Sequence, residues 1–232
     1  MAMWKPVAGL KIAVDGPSGS GKGTVAKLLA EEVGLPVLDT GLLYRLTGAV
    51  ALQRGADLAD EAAMVQVTVE MLDGLIWSSS GIEFHGEKWT DRLRGEEVGA
   101  AASMVAAMPE VRARLLTLQQ QLAGSGCIMD GRDIGTVVLP DAPAKFFLTA
   151  SVRERARRRW SQLKQMGRRC DFDEVLLDLK KRDQRDRERQ HAPLAQAVDA
   201  IAIDSTTLRV DEVVDRMLGI LERRGLIEAI DD

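Results

Sequence analysis

Nine consecutive residues, Gly16, Pro17, Ser18, Gly19, Ser20, Gly21, Lys22, Gly23 and Thr24, form the densest chemical pattern in the chain. Glycines at this density let successive backbone N–H groups converge on phosphate oxygens, and a helix beginning at the end of the string adds partial positive charge. Lys22 adds a point charge suited to β- and γ-phosphates. A plain turn needs one or two glycines and no lysine, so the string reads as a phosphate cradle. Arginine is the residue suited to a second phosphate, because it binds through two parallel N–H bonds. Arg45 in LDTGLLYR and Arg132 in DGRDIGT are placed for that role. Asp130 opens the second motif, where a carboxylate can hold Mg²⁺ through water. Thr24 offers a hydroxyl one place beyond the usual Ser or Thr, whose position Gly23 takes. That displacement argues against GTPases and large motor-type ATPases, in which the hydroxyl holds Mg²⁺ directly.

These residues need elements to position them. The apolar run at 10–14 ends in Asp15 and predicts a buried strand. Val25, Leu28, Leu29 and Val33 recur at helical spacing over 22–33, and Gly34 with Pro36 stops that helix. A strand at 37–39 and an amphipathic helix at 42–52 follow, so strand, glycine loop, helix and strand open a βαβ unit. Arg45 then lies near the carboxyl edge of a parallel sheet, where open α/β folds bind ligands. Between 60 and 123 the alternation breaks into a helix to residue 72, a hairpin around SSSGIEFHGEKW with turns at Gly81 and Gly86, and helices at 96–107 and 109–123. It resumes with strands at 127–130 and 145–148. A charged helix from Val152, a break at Gly167, a second charged helix from Phe172, a strand at 200–203 and a helix at 210–223 complete the pattern. The fold class is α/β with a core at 1–59 and 124–232 and an insertion at 60–123.

The chain has 232 residues, with 31 Lys+Arg against 35 Asp+Glu and a formal net charge of -4. Residues 151–190 hold 14 basic against 8 acidic side chains, a local +6, while 17 against 27 elsewhere leave -10. An acidic globule with one Arg-dense segment suits a small polyanion better than a nucleic acid, which favours a broadly basic face. With nine aromatic residues in all, a surface stacking successive bases is not expected. No apolar run approaches the roughly 20 residues of a bilayer span, and no leader-like segment opens the chain. A cytoplasmic monomer is expected, binding neither membrane nor nucleic acid. Cys127 and Cys170 lack partners at ligand spacing and read as free thiols, and MAMWKP is expected to be partly disordered.

GKGT at the end of the glycine loop is the form seen in nucleoside monophosphate kinases. The chain resembles the bacterial cytidylate kinase family nearly end to end, through IAVDGPSGSGKGT, LDTGLLYR, DGRDIGTVV, PDAPAKFFLTAS, RDQRDRERQHAPL and AIAIDSTTL. The resemblance implies a three-layer P-loop kinase fold with a central parallel sheet, a monophosphate-binding insertion carrying a small antiparallel sheet, and a helical lid at about 152–172. It implies transfer of the γ-phosphoryl group of ATP to CMP or dCMP, with Mg²⁺ at Thr24 and Asp130 and with Gly16 to Thr24 on the ATP phosphates. Thr40, Tyr44 and Arg45 come with the substrate pocket. Asp133, Ser103 and Arg112 would face the cytosine ring, Arg182 and Asp186 the sugar, and Arg189, with Arg132, the monophosphate.

A carboxylate at Asp133 accepts from an exocyclic amino group and cannot donate to a carbonyl, which favours cytosine over uracil. Lys22 and Arg132 are expected to be catalytic. So are Arg155 and Arg159 of RERARRR, which share a helix face, although spacing alone does not say which of Arg155, Arg158 and Arg159 meets phosphate. Two alternatives remain for the motifs. One is a kinase with a UMP or AMP acceptor, which Asp133 discriminates. The other is a nucleotide-binding regulator contacting nucleic acid, which leaves Arg45, Asp130 and Arg132 without a task.

Overall fold

The computed structural model describes residues 3–78, 81–90 and 92–230. Its elements begin with β1 (Trp4–Pro6), β2 (Lys11–Asp15), α1 (Lys22–Val33), β3 (Val37–Asp39), α2 (Gly41–Arg54) and α3 (Glu61–Gly74). The strands β4 (Leu75–Ser78), β5 (Gly81–Phe84) and β6 (Glu87–Lys88) follow, then α4 (Glu96–Val105) and α5 (Pro109–Leu122). The chain continues through β7 (Cys127–Gly131), β8 (Ala144–Thr149), α6 (Val152–Gln165), α7 (Phe172–Glu188), β9 (Ile201–Asp204), α8 (Val210–Arg223) and β10 (Ile227–Ala229). Two compact units result, one from Met1–Leu38 with Ala123–Asp232, the other from Asp39–Leu122.

The first unit is built on a five-stranded parallel sheet in the order β3-β7-β2-β8-β9, with β2 at its centre. Four of the five residues of β2 are buried, as expected of a parallel strand covered on both faces. Helix α1 turns Val25, Ala26, Leu29 and Val33 into the core, where α8 adds Val213, Val214, Met217, Leu218 and Leu221. No side chain caps the start of α1 at Gly21. Glycine in place of a capping side chain costs only about a few tenths of a kcal/mol, whereas burying each large apolar side chain contributes roughly 1.5–3 kcal/mol. Packing therefore holds α1 in place while its first N–H groups carry no side-chain cap.

The expected disorder of MAMWKP is not what the structure shows for its described residues. Trp4, Lys5 and Pro6 pair antiparallel with Ala229, Glu228 and Ile227, and Trp4 packs against the main core. The reason is long-range: two three-residue strands complete each other's backbone hydrogen bonds. Met1 and Ala2 lie outside the described residues.

Helices α6 and α7 form a hairpin with a small core of its own, made by Ala156, Leu163, Val175 and Leu179. Gly167 ends the first arm with φ +73. Asp171 caps α7, accepting from the N–H groups of Asp173 and Glu174 at 2.8 and 3.2 Å.

In the second unit, α2 packs on α4 so closely that a Cβ at Gly48 would lie 2.9 Å from that of Ala101. The helix at 42–52 thus belongs with the following residues. The three-stranded antiparallel sheet β4-β5-β6 buries Ile82 and Phe84 in the same core as Leu43, Leu46 and Val50. Of the hairpin expected around SSSGIEFHGEKW, Ser79 and Ser80 lie outside the described residues.

Candidate active site

The glycine loop leaves the carboxyl end of β2 at the centre of the sheet. Gly16 takes φ +148, and a Cβ there would sit 2.0 Å from the carbonyl oxygen of Leu148, so backbone passes where no side chain fits. Lys22 folds back to donate from Nζ to the carbonyl of Pro17 at 3.0 Å, and its ammonium lies 3.9 Å from Asp130. Lysine and carboxylate are both largely buried.

The Asp130 carboxylate lies against the first turn of α1, since a Cβ on Gly23 would stand 3.3 Å from its Oδ2. Thr24 is on that turn and exposed. Among the described residues no three His, Cys, Asp or Glu side chains gather as a metal cluster. One buried carboxylate with oxygen donors fits Mg²⁺, which keeps several waters and takes further ligands from substrate phosphates.

Asp15, the last residue of β2, was not among the expected site residues. Its two oxygens accept from the backbone N–H groups of Ile134 and Gly135 at 2.8 and 2.7 Å, tying the loop after β7 to the base of the glycine loop. Burial pushes its carboxyl up to about 6 from 3.8, against the pull of those two N–H bonds. The signal was present in the sequence as an acidic residue closing an apolar strand.

One face of α7 organises the remaining charges. Asp183, Asp186 and Arg189 recur three residues apart, a spacing that keeps side chains on one side of a helix. Asp183 receives both terminal nitrogens of Arg155. Asp186 accepts from Nε of Arg132 at 3.2 Å. Arg189 stands 3.5 Å from Asp133 and donates from Nε to the carbonyl of Ala192 at 2.6 Å. Arg132, Asp133, Asp186 and Arg189 are therefore brought together around the loop after β7. Arg182 is on the same helix, adjacent to Asp183.

The arginines of α6 divide sharply. Arg155 is 2% exposed and donates to the carbonyls of Ala150 and Ser18 at 3.0 and 2.9 Å in addition to Asp183. Four of its five N–H donors are thus engaged within the protein. Arg158 bonds to Glu154, to the hydroxyl and carbonyl of Ser205, and at 3.4 Å to the carbonyl of Ser20 in the glycine loop. Arg159 is half-buried and donates to Gln162 at 2.8 Å, and Arg157 pairs with Glu154 at the surface.

In the second unit, Arg45 on α2 donates to the carbonyl of Leu93 at 2.8 Å, and Gly99 on α4 leaves room for its guanidinium. Arg112 on α5 lies over the Tyr44 ring at 5.4 Å and donates to the carbonyl of Ala106. Thr40 is buried where α2 begins. Ser103 on α4 is buried, and its hydroxyl has no hydrogen-bond partner among the described residues. An orphaned hydroxyl inside a protein is costly, which suits a site completed by a ligand or water.

A parallel sheet that delivers a glycine-lysine loop from its central strand, with an acidic loop beside it and an Arg-rich helical hairpin, defines a P-loop kinase. The chain belongs to the cytidylate kinase family: the family model described as "Cytidylate kinase" matches residues 12–223. The Cytidylate kinase of Stutzerimonas stutzeri (strain A1501) is 49% identical over 230 residues, covering 97% of this chain and 99% of its own. That of Pseudomonas aeruginosa (strain LESB58) is 48% identical over 220 residues, with 92% and 96% covered. That of Vibrio cholerae serotype O1 is 47% identical over 216 residues, again with 92% and 96% covered.

No helix among the described residues is long and apolar enough to cross a membrane.

Proposed function

We propose that this chain transfers the γ-phosphoryl group of ATP to CMP or dCMP, giving ADP and CDP or dCDP. The observation that carries this reading beyond family membership is the gathering of Arg132 and Asp133, on a loop that Asp15 holds at the root of the glycine loop, with Asp186 and Arg189 at the end of α7. Guanidinium groups suit a monophosphate. A carboxylate suits a sugar hydroxyl at Asp186 and an exocyclic amino group at Asp133. Arg182 serves the sugar, and within the second unit Thr40, Tyr44, Arg45, Ser103 and Arg112 are assigned to substrate binding by the family resemblance. The orphaned hydroxyl of Ser103 supports that assignment.

The acceptor is a phosphate oxygen, already ionised near neutral pH, so no general base is needed. The bond between the γ-phosphorus and the β,γ-bridging oxygen breaks as a bond to the acceptor oxygen forms, and ADP leaves with the bridging oxygen. Catalysis then rests on alignment and on neutralising charge that builds on the oxygens in flight. The backbone of Gly16 to Thr24 orients the ATP phosphates and Lys22 neutralises them, while Arg132 and Arg159 meet the transferring group. Arg155, expected from the sequence to be catalytic alongside Arg159, has four of its five N–H donors engaged within the protein and serves instead to shape the loop that holds ATP. Asp130 and Thr24 would hold Mg²⁺, which would supply further neutralisation of the ATP phosphates. The α6–α7 hairpin excludes water, which would otherwise compete as acceptor. The protein works as a cytoplasmic monomer without nucleic acid.

The test is ADP release from ATP and Mg²⁺ in the presence of CMP, dCMP, UMP, AMP and GMP in parallel. Rapid release confined to CMP and dCMP is the expected outcome. Preference for UMP or AMP, or no release with any acceptor, would sink the reading.

A further inference from the structure

Asp183 has no part in the reaction as described, yet its carboxyl side chain is buried, 5% exposed. Both its oxygens are held by Arg155, Nη1 to Oδ1 at 3.0 Å and Nη2 to Oδ2 at 2.5 Å. From the same Nη1, Arg155 reaches the carbonyl of Ser18 at 2.9 Å. Helix α7 is thus joined to the glycine loop through two side chains. The loop is also fitted to α6 sterically: Gly19 takes φ +77, and a Cβ there would stand 3.2 Å from Cβ of Arg155.

A buried ion pair contributes little to stability relative to apolar side chains of similar volume, because desolvation offsets the attraction. Its bidentate geometry instead fixes the relative placement of what it joins. Here it joins the backbone beside the ATP phosphates to the helix that carries Arg182 and Asp186, which flank Asp183 on α7.

We propose that Asp183 is a positioning residue that acts through Arg155 to couple the two substrate sites. Monophosphate bound on α7 steadies Ser18 and Gly19 for the nucleotide phosphates, and nucleotide on the loop steadies α7 in return. Coupling of this kind is reciprocal and typically amounts to 5- to 150-fold in affinity. The inference rests on the reading of α7 as the monophosphate helix.

The experiment uses the full chain with ADP, Mg²⁺ and CMP, a mixture that cannot turn over. The affinity for ADP is measured by calorimetry with and without saturating CMP, in wild type, Asp183→Asn, Arg155→Lys and the double variant. In wild type, CMP should tighten ADP binding by at least about fivefold. Each single variant should bring that factor below about twofold while both ligands still bind alone, and the double variant should be no worse than either single. Arg155→Lys keeps the charge but not the fork, so it carries the test if Asp183→Asn does not fold.

Full coupling in a folded variant would overturn the proposal, as would weaker binding of each ligand alone with the factor unchanged, the mark of a merely structural pair. Absence of coupling in wild type would overturn it too. Failure of wild type to bind CMP at all is a different result and would defeat the reading of the site itself.

Discussion

In the proposed reaction the glycine loop and the α6–α7 hairpin both handle phosphate, and they do so in opposite ways. In the loop the backbone does most of the work: N–H groups, glycines at positive φ and one lysine produce the site, and residue types announce it. In the hairpin the proposed role falls to side chains, and eleven arginines of identical chemistry lie within residues 151–190. What separates them is their partners. Arg155 is enclosed by Ser18, Ala150 and Asp183, whereas Arg157, two residues on, pairs with Glu154 at the surface. A motif identifies a backbone site, but a charged helix acquires meaning only from what lies across from it.

The sharpest way to break this contrast is at Lys22. Lys22→Ala removes the one point charge in the loop, and turnover should fall on the order of 10³-fold with the fold intact, read as ADP release. A modest loss would mean that the hairpin, not the loop, carries the charge stabilisation.

Asp15 tests the strand beneath the loop. Because folding raises its pKa from 3.8 to about 6, the folded state holds the proton more tightly than the unfolded chain. The associated stability is complete below about pH 4 and is lost as pH rises through about 6, up to about 3 kcal/mol. Relative to Asp15→Asn, which does not titrate there, wild type should be favoured most near pH 4 and progressively less by pH 7. Urea midpoints across that range would show it, and a pH-independent difference would count against it.

Within the hairpin, Arg182→Ala should cost roughly 1.5 to 3 kcal/mol in kcat/KM for CMP, the loss of a charge-assisted bond, with KM for ATP little changed. Arg157→Ala should do least. Its pair with Glu154 is exposed and holds the Glu154 carboxyl below its usual range through a surface hydrogen bond. Neither kcat, KM nor melting temperature should shift measurably. If the two substitutions had equal effects, burial and partners would not be what sorts these arginines.

Much of the fold was legible because local rules govern it. The helices at 22–33 and 210–223 coincide with α1 and α8, where apolar spacing, Gly34 and a clear charged face leave little choice. The pairing of β1 with β10 was not, since two three-residue strands more than 200 residues apart show no periodicity. Nor does the amphipathic pattern at 42–52 disclose that α2 groups with α4, a contact made by Gly48 and small alanines. At the site, the glycine loop and the position of Asp130 could be read directly from strand, loop and helix. Helical spacing puts Arg155 and Arg159 on one face, but the environments of the two differ through a partner 28 residues away, Asp183. Asp15 was overlooked for a similar reason, as its two hydrogen bonds cross 119 and 120 residues of chain.

The most direct measurement follows the phosphoryl group itself. With γ-labelled ATP, Mg²⁺ and CMP, the label should appear in CDP, one for each ADP formed, with little free phosphate. Label released as inorganic phosphate at the same rate with or without CMP would contradict it.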